Sequence, residues 1–421
     1  MDSTSERQGT RMYIREFTAK NYLVHKNTRI QLSPITVLVG PNGGGKSALF
    51  DAILNFSMVA RGNLKQAFGH YPYSYYATKF HGASKQARIG FEVVLSANAG
   101  DERSLRYEID YSQTSGGDGG APGFRIAHES LMELPANRVL FDRRDIDSSP
   151  MKTAIKFIED DRGVFAALRA AYLNNMQEPG FEWLGETARE ISRFNRFRLT
   201  PYSLAGTSPL PDLTEDAAPP RLGHTGEDLA ACLYYMMEKK DPALSAILEK
   251  VKHVVPGFKG FDFTFSGSDR VAFSIEFEDE RGTVSAVRLS DGMLLLIGLM
   301  VLTYSPNRPP VMLIEEPENG LTPTALKSFY QAIRELSMAD ATSKRSQILI
   351  SSHSPFVICE AWNGEDRDFI HQVKIKDGHA IVRKFTEAVA EQGVVLGIDD
   401  TGARTVLGLR NAEELMAGYL S

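Results

Sequence analysis

Apolar positions alternate with period two in some stretches of this chain and recur at helical spacing in others, and the switches between the two divide it. Residues 12–60 read strand, strand, loop, helix. MYIREFTAKNY and TRIQL are the strands, and a glycine-rich loop then separates Val37-Leu38-Val39 from an apolar pattern of helical spacing. Residues 88–111 (RIGFEVVLSAN and SLRYEIDYS) alternate as a two-stranded antiparallel hairpin or meander. SQTSGGDGGAPG, at 112–123, is a loop by composition. Helical spacing returns over 150–198, as in FAALRAAYLNNM and WLGETAREISRF. The stretch 203–223 holds too many prolines and glycines for a regular element. GEDLAACLYYMMEKK and LSAILEKVKHVV predict two helices before Pro256, and FDFTFSG and RVAFSIEFED predict strands. After residue 289 the order is helix, strand, helix, strand, further strand and a short tail, with no internal repeat and no sustained heptads.

Composition narrows the class. With 421 residues there is room for one large domain or two ordinary ones, and 43% hydrophobic with 24% charged residues describes a soluble globular chain. The net charge of −6 gives no global field for nucleic acid, which leaves room only for a local basic patch. Cys232 and Cys359 are far apart and form neither a metal spacing nor a disulfide framework, as in a reducing cytoplasm. The N-terminal MDSTSERQGTRMYIREF lacks the apolar core of a secretory signal. The most apolar run, MLLLIGLMVL at 293–302, is about half the length that spans a bilayer and reads as a buried helix.

The loop TVLVGPNGGGKSALFDAIL, 36–54, raises the first chemical question. Each glycine in an ordered element costs roughly 0.5–1 kcal/mol against alanine. Something must therefore approach the backbone more closely than a Cβ allows, or the loop is merely an unfavourable turn carrying an unrelated lysine. Gly40-Pro41-Asn42-Gly43-Gly44-Gly45-Lys46-Ser47 fits G-x-x-x-x-G-K-[ST] between a strand pattern and a helix pattern, and that context favours phosphate. The backbone N–H groups of such a loop, and the positive end of the helix that Ala48 continues, surround phosphate oxygens. Lys46 is then expected on the β- and γ-phosphates of a nucleotide, and Ser47 on Mg²⁺.

Three further segments carry candidate chemistry. VMLIEEPENGLTP, 311–323, is a buried strand ending in Glu315 and Glu316, at the edge where an open α/β sheet binds ligands. Neighbouring strand side chains point opposite ways, so Glu315 can hold a magnesium shell while Glu316 polarises a water. Taken alone, the pair is equally well two surface glutamates. VRLSDGMLLLIGLMVL, 287–302, starts a helix at Ser290 or Asp291, ahead of Gly292. Taken alone, it is an ordinary helix cap. ILISSHSPFVI, 348–358, ends an apolar strand at His353, which could reach a γ-phosphate or simply meet water.

The order of these four segments resembles the ABC-type ATPases, in the SMC/RecF branch that includes the double-strand-break repair ATPases and the overcoming-lysogenization-defect (OLD) nucleases. LSDG, EEPENGL and SSHSP look most like the stand-alone ATPases of the AAA_21 grouping, many of which occur in bacterial defence or repair loci. The resemblance covers 12–60 and 285–385 well and the middle loosely. It implies an α/β fold: an ABC-type P-loop NTPase with a mixed central sheet, an antiparallel β subdomain and a helical insertion. The implied division is an N-terminal lobe over 1–124, a mainly helical insertion over 125–235 that serves recognition or a partner, a C-terminal lobe over 236–386 and a tail over 387–421. It makes Gly40 to Ser47 the Walker A loop, Glu315 and Glu316 the Walker B acids with Glu316 catalytic, and His353 the switch histidine. Leu289-Ser290-Asp291-Gly292 becomes the signature segment, which caps the γ-phosphate of the opposite subunit.

The implied cofactors are ATP and Mg²⁺, and the implied assembly is a homodimer or higher even oligomer with no membrane partner. DNA or RNA, and a separate effector or nuclease subunit, are further expected partners. Asp291 stands where many relatives have glycine, and a carboxylate there should turn back to cap its own helix. Thr322 stands where relatives carry histidine or aspartate, and the glutamine that contacts magnesium has only Gln66 and Gln113 as candidates. No long coiled coil separates the halves, and after His353 there is no acidic cluster for a metal nuclease; Asp399-Asp400 is a lone pair. A slow ATPase sensor that holds and releases an effector is the alternative reading, and a transporter subunit a third. Arg193, Arg196 and Arg198, interleaved with Phe194 and Phe197, are either a nucleic-acid strip or solvated arginines around core phenylalanines.

Overall fold

A computed structural model describes residues 12–68, 75–84, 86–96, 104–114, 123–176, 179–338, 345–364, 366–392, 397–398, 405–407, 409 and 411–413. The strands are β1 (Tyr13–Tyr22), β2 (His25–Gln31), β3 (Ile35–Val39), β4 (Ile89–Ser96), β5 (Ser104–Thr114), β6 (Gly123–Leu134), β7 (Arg138–Asp142) and β8 (Asn195–Phe197). They continue with β9 (Ser208–Pro209), β10 (Phe258–Ser266), β11 (Arg270–Phe277), β12 (Thr283–Ser285), β13 (Val311–Glu315), β14 (Gln347–Ser352), β15 (Ile370–Lys376) and β16 (His379–Lys384).

The central sheet has the order β16-β15-β3-β14-β13-β8. Its inner pairs are parallel and β16 is an antiparallel edge, so the sheet is mixed. ITVLV of β3 and VMLIE of β13 are buried at every position, as strands covered on both faces must be. Successive side chains then feed two cores. Ile35, Val37, Val39, Met312, Ile314, Ile348 and Ile350 pack with helices Asp291–Tyr304 and Pro323–Met338 on one face. Leu38, Val311, Leu313 and Leu349 pack with helix Lys46–Arg61 and the second sheet on the other. That second sheet is antiparallel, in the order β2-β1-β4-β5-β6-β7. Between the sheets, Phe56 lies 6.1–6.5 Å from the rings of Phe17, Phe91, Phe165 and Phe194. Gln347 ties the layers: its side chain accepts from Ile14 N (3.0 Å) and donates to Ile14 O (2.8 Å). MLLLIGLMVL lies in the helix Asp291–Tyr304, whose residues 294–303 are buried, and no described helix is long and apolar enough to cross a membrane.

The 88–111 segment forms the expected antiparallel pair, β4 with β5, and that pair sits inside a larger six-stranded sheet. Other expectations are corrected. Residues 123–142, expected as loop and then the start of a helical insertion, form β6 and β7. Their alternation is weak because β6 buries few side chains, so its stretch GFRIAHESLMEL carries polar residues on both faces. The stretch 193–198 is not a helix edge: Asn195–Phe197 pairs in parallel with β13, and Phe194 and Phe197 are each 1% exposed. They stack in the core and cannot stack on bases. Asp399-Asp400 lies outside the described residues.

Candidate nucleotide site

The parallel register aligns the strand ends that carry the candidate chemistry. Val39 pairs with Ser352, Leu38 with Ser351, Ser351 with Glu315, and Ile314 with Phe197. The loop after β3, both glutamates, His353 and the residues after β8 therefore share one edge of the sheet, where open α/β sheets bind ligands.

The loop is shaped by close approach. A Cβ on Gly40 would collide with the carbonyl oxygen of Val373, and Gly45, at φ 105, precedes helix Lys46–Arg61 in a left-handed conformation. Lys46 is buried and donates to the carbonyls of Gly40 (2.6 Å) and Pro41 (3.0 Å), so its amine sits inside the turn. Burial lowers its pKa, against the upward pull of Glu316, Glu318 and Glu315. Asn42, Gly43 and Ser47 face solvent, and the Ser47 hydroxyl has no partner among the described residues. A glycine cradle with an inward lysine and an open hydroxyl at a helix start fits a nucleotide phosphate chain. Under the loop, the buried His25 donates from Nε2 to the carbonyl of Gly45 (3.1 Å), and its Nδ1 lies 3.0 Å from the Thr28 hydroxyl. Burial holds His25 down to about 4, so it is a neutral donor at neutral pH.

The two acids occupy different environments. Glu315 is 5% exposed and accepts from Arg196 Nη2 at 2.7 Å; the other Nη of Arg196 donates to Asp51 on the helix that follows the loop. Burial outweighs Arg196 and lifts the Asp51 carboxyl, with Glu315 adding to the rise. Glu316 has φ 45, a strained value for a residue with a side chain, held by its N–H donating to Ser351 O at 2.9 Å. Its carboxylate has partners of its own, different from those of Glu315. It accepts from Asn319 Nδ2 (3.0 Å) and lies 3.5 Å from His353 Nδ1 and 4.0 Å from Arg198. Glu318, in the same turn, accepts from the Ser352 hydroxyl (2.6 Å) and from His353 N (3.1 Å), fixing the histidine loop. Glu315 and Ser47 suit Mg²⁺, which keeps waters and phosphate oxygens and needs few protein ligands.

The segment expected as the signature, residues 289–292, lies elsewhere. Ser290 and Asp291 are exposed, Gly292 packs with its Cα 's missing side chain facing Gly320 O, and no described hydrogen bond or ion pair joins the segment to the phosphate loop. Leu289 and Asp291 border a wide cleft with Tyr202 (92% exposed) and Val287 (72% exposed). Ser290 holds the N-cap position through its backbone, and no side-chain bond caps the helix. The expected back-turn of Asp291 is therefore absent: as the first helical residue its carboxylate points to solvent, which already solvates it. Thr322 caps the next helix, accepting from Ala325 N at 3.3 Å. Gln66 bonds only within its own turn, to Asn63, and Gln113 lies within β5, so neither stands at the site.

Four residues of the site were not assigned to it from sequence. Arg196, inside the short strand β8, looked like part of a basic strip. Asp51, one turn beyond Lys46, and Glu318, the third acid of EEPE, were visible but unpaired without the fold. His25 had no local signature.

A family model described as "AAA domain, putative AbiEii toxin, Type IV TA system" matches residues 35–359. No curated protein matches. Solved structures similar in trace include an SMC head bound to the C-winged helix domain of ScpA, with 15% identity and TM-score 0.47, covering 89% of this chain and 99% of that one. The SMC head domain from Thermotoga maritima has 14% identity and TM-score 0.42, covering 88% and 98%. An SMC head with an extended coiled coil, bound to the C-terminal domain of ScpA derived from Pyrococcus furiosus, has 14% identity and TM-score 0.45, covering 91% and 99%. The family match spans the phosphate loop, both glutamates and the histidine and covers more than half of the chain, and the chain belongs to the AAA_21 family.

Proposed function

We propose that this chain binds Mg-ATP at the loop Gly40–Ser47, closes on it as a dimer, and opens when ATP is hydrolysed. The observation that carries this reading is the separation within one chain. The loop, Glu315, Glu316 and His353 share one sheet edge, while Ser290 and Asp291 are exposed and Leu289 and Asp291 line a different cleft. A segment that caps a γ-phosphate from there does so on another copy. In this reading Lys46 holds the β- and γ-phosphates, Ser47 and Glu315 hold Mg²⁺, Glu316 orients the attacking water and His353 contacts the γ-phosphate. Magnesium supplies charge neutralisation on the phosphates. Glu315 and Glu316 bind different partners, which suits two separate tasks.

The biological setting we assign is bacterial defence or DNA repair, with a separate effector or nuclease. A slow sensor that holds and releases its effector is the second reading. It draws on Lys46 being engaged by the loop's own carbonyls and Glu316 by Asn319, contacts that ATP must replace.

Assembly tests the proposal. Glu316→Gln with ATP and Mg²⁺ should elute as a stable dimer or higher even assembly, compared with its nucleotide-free state. Adding Ser290→Arg should restore the nucleotide-free elution, since the new side chain fills the composite site. Association that is no greater with ATP than without it would rule out closure through the signature segment.

A further inference from the structure

The flank of β8 away from the nucleotide site gathers cations. A cavity of about 190 Å³ there is lined by Arg61, Arg193, Arg221 and Arg308, together with Asn195 and Asn307. Arg61 donates to the carbonyl of Ser192 (3.0 Å), and Arg193 donates to Asn307 Oδ1 (3.2 Å) and to Glu190 Oε1 (2.9 Å). Glu190 is the one described carboxylate bound to Arg61, Arg193 or Arg221, and it is shared with Arg189 at 3.3 Å. Arg221 makes no hydrogen bond or ion pair with a described residue. Burial, then the charges of Arg193 and Arg61, hold Arg221 below its ordinary range, with Glu190 opposing them. Burial and Arg169 lower Arg61, and burial holds Arg308 down to about 10. All of these groups stay protonated at neutral pH.

The chain thus keeps mutually repelling guanidinium groups around one cavity, in a protein of net charge −6. A bound anion would offset that repulsion. The volume exceeds what a monatomic ion fills, and several guanidinium forks match tetrahedral oxyanions in geometry. We propose that this cavity binds a phosphate group, carried by a nucleic-acid strand or by a phosphorylated small molecule, at a site distinct from the loop Gly40–Ser47. This cavity is a local basic patch in a chain of negative net charge, and it is not the arginine strip 193–198 as a whole. Arg193 faces this cavity, whereas Arg196 and Arg198 face Glu315 and Glu316.

The test uses the full chain carrying Lys46→Ala, which silences phosphate binding at the nucleotide loop. Inorganic pyrophosphate is titrated by calorimetry, and a fluorescent single-stranded oligonucleotide by anisotropy over a salt series. Arg61→Gln with Arg221→Gln should weaken at least one probe by about tenfold or more, because charge-assisted bonds are lost. Loss of pyrophosphate binding points to a small phosphorylated ligand. Loss confined to the oligonucleotide, with a shallower salt slope, points to a strand. Both results support the site. Arg221→Gln alone removes no described bond, so it repeats the test if the double variant does not fold. Absence of binding by either probe, or affinities unchanged by these substitutions, overturns the proposal.

Discussion

Glu316→Gln should retain Mg-ATP binding and lose hydrolysis by about 10²–10⁴-fold, the usual contribution of a positioned general base. Glutamine is nearly isosteric and still accepts from Asn319 Nδ2, so the turn that holds position 316 at φ 45 keeps its contacts. It is a poor proton acceptor, which removes the proposed task of the carboxylate without removing a ligand of the phosphate chain. Glu315→Gln should behave differently. Glu315 is buried against Arg196 and is proposed to hold Mg²⁺, so its loss should weaken Mg-dependent ATP affinity itself. Single-turnover kinetics beside equilibrium binding separates the two. Normal turnover by Glu316→Gln would show that the acids have been assigned the wrong way round.

Arg196→Met should destabilise the fold by roughly 3–5 kcal/mol at pH 7, the range for removing one partner of a buried ion pair. Arg196 is the cation between Asp51 and Glu315, whose side chains are 20% and 3% exposed. Without it two carboxylates face each other under the nucleotide loop. The Asp51 carboxyl, already raised by burial and by Glu315, then loses the lowering effect of Arg196, so its ionised form is the one penalised. The penalty is greatest at neutral pH and shrinks as pH falls through the raised value. Urea unfolding at pH 7 and pH 5 should show the gap from wild type narrowing at the lower pH. Adding Asp51→Asn should recover part of it. A difference below about 0.5 kcal/mol at pH 7, the scatter of neutral surface substitutions, would mean that Arg196 is not a structural partner of the site.

The legible parts of this protein are those whose physics is local. VMLI, ahead of Glu315, could be read as a doubly buried strand because a parallel strand packed on both faces is a continuous apolar run. The glycine loop was legible because Gly40 and Gly45 satisfy needs that no other residue meets. The run at 293–302 was legible because a helix buried all round has no polar face. What escaped depends on distant partners. The β6 stretch joins a sheet whose other strands lie before it, and its own alternation is too sparse to announce a strand. Arg196 gains its meaning from Asp51, which is 145 residues away, and from Glu315, which is 119 away. Phe194 looked available for stacking until Phe56 was placed 6.4 Å from it. His25 serves the phosphate loop through a turn 20 residues on, a contact no spacing rule encodes.

The central claim is that the loop Gly40–Ser47 is a nucleotide site with Lys46 as its mobile cation. Calorimetric titration of the nucleotide-free chain with ATP in Mg²⁺, run in parallel on Lys46→Ala, tests it most directly. Saturable binding by the wild-type chain and its loss in the variant are expected, because no other cation of the turn replaces the amine that now rests on the carbonyls of Gly40 and Pro41. Equal ATP affinity in the two proteins would contradict it.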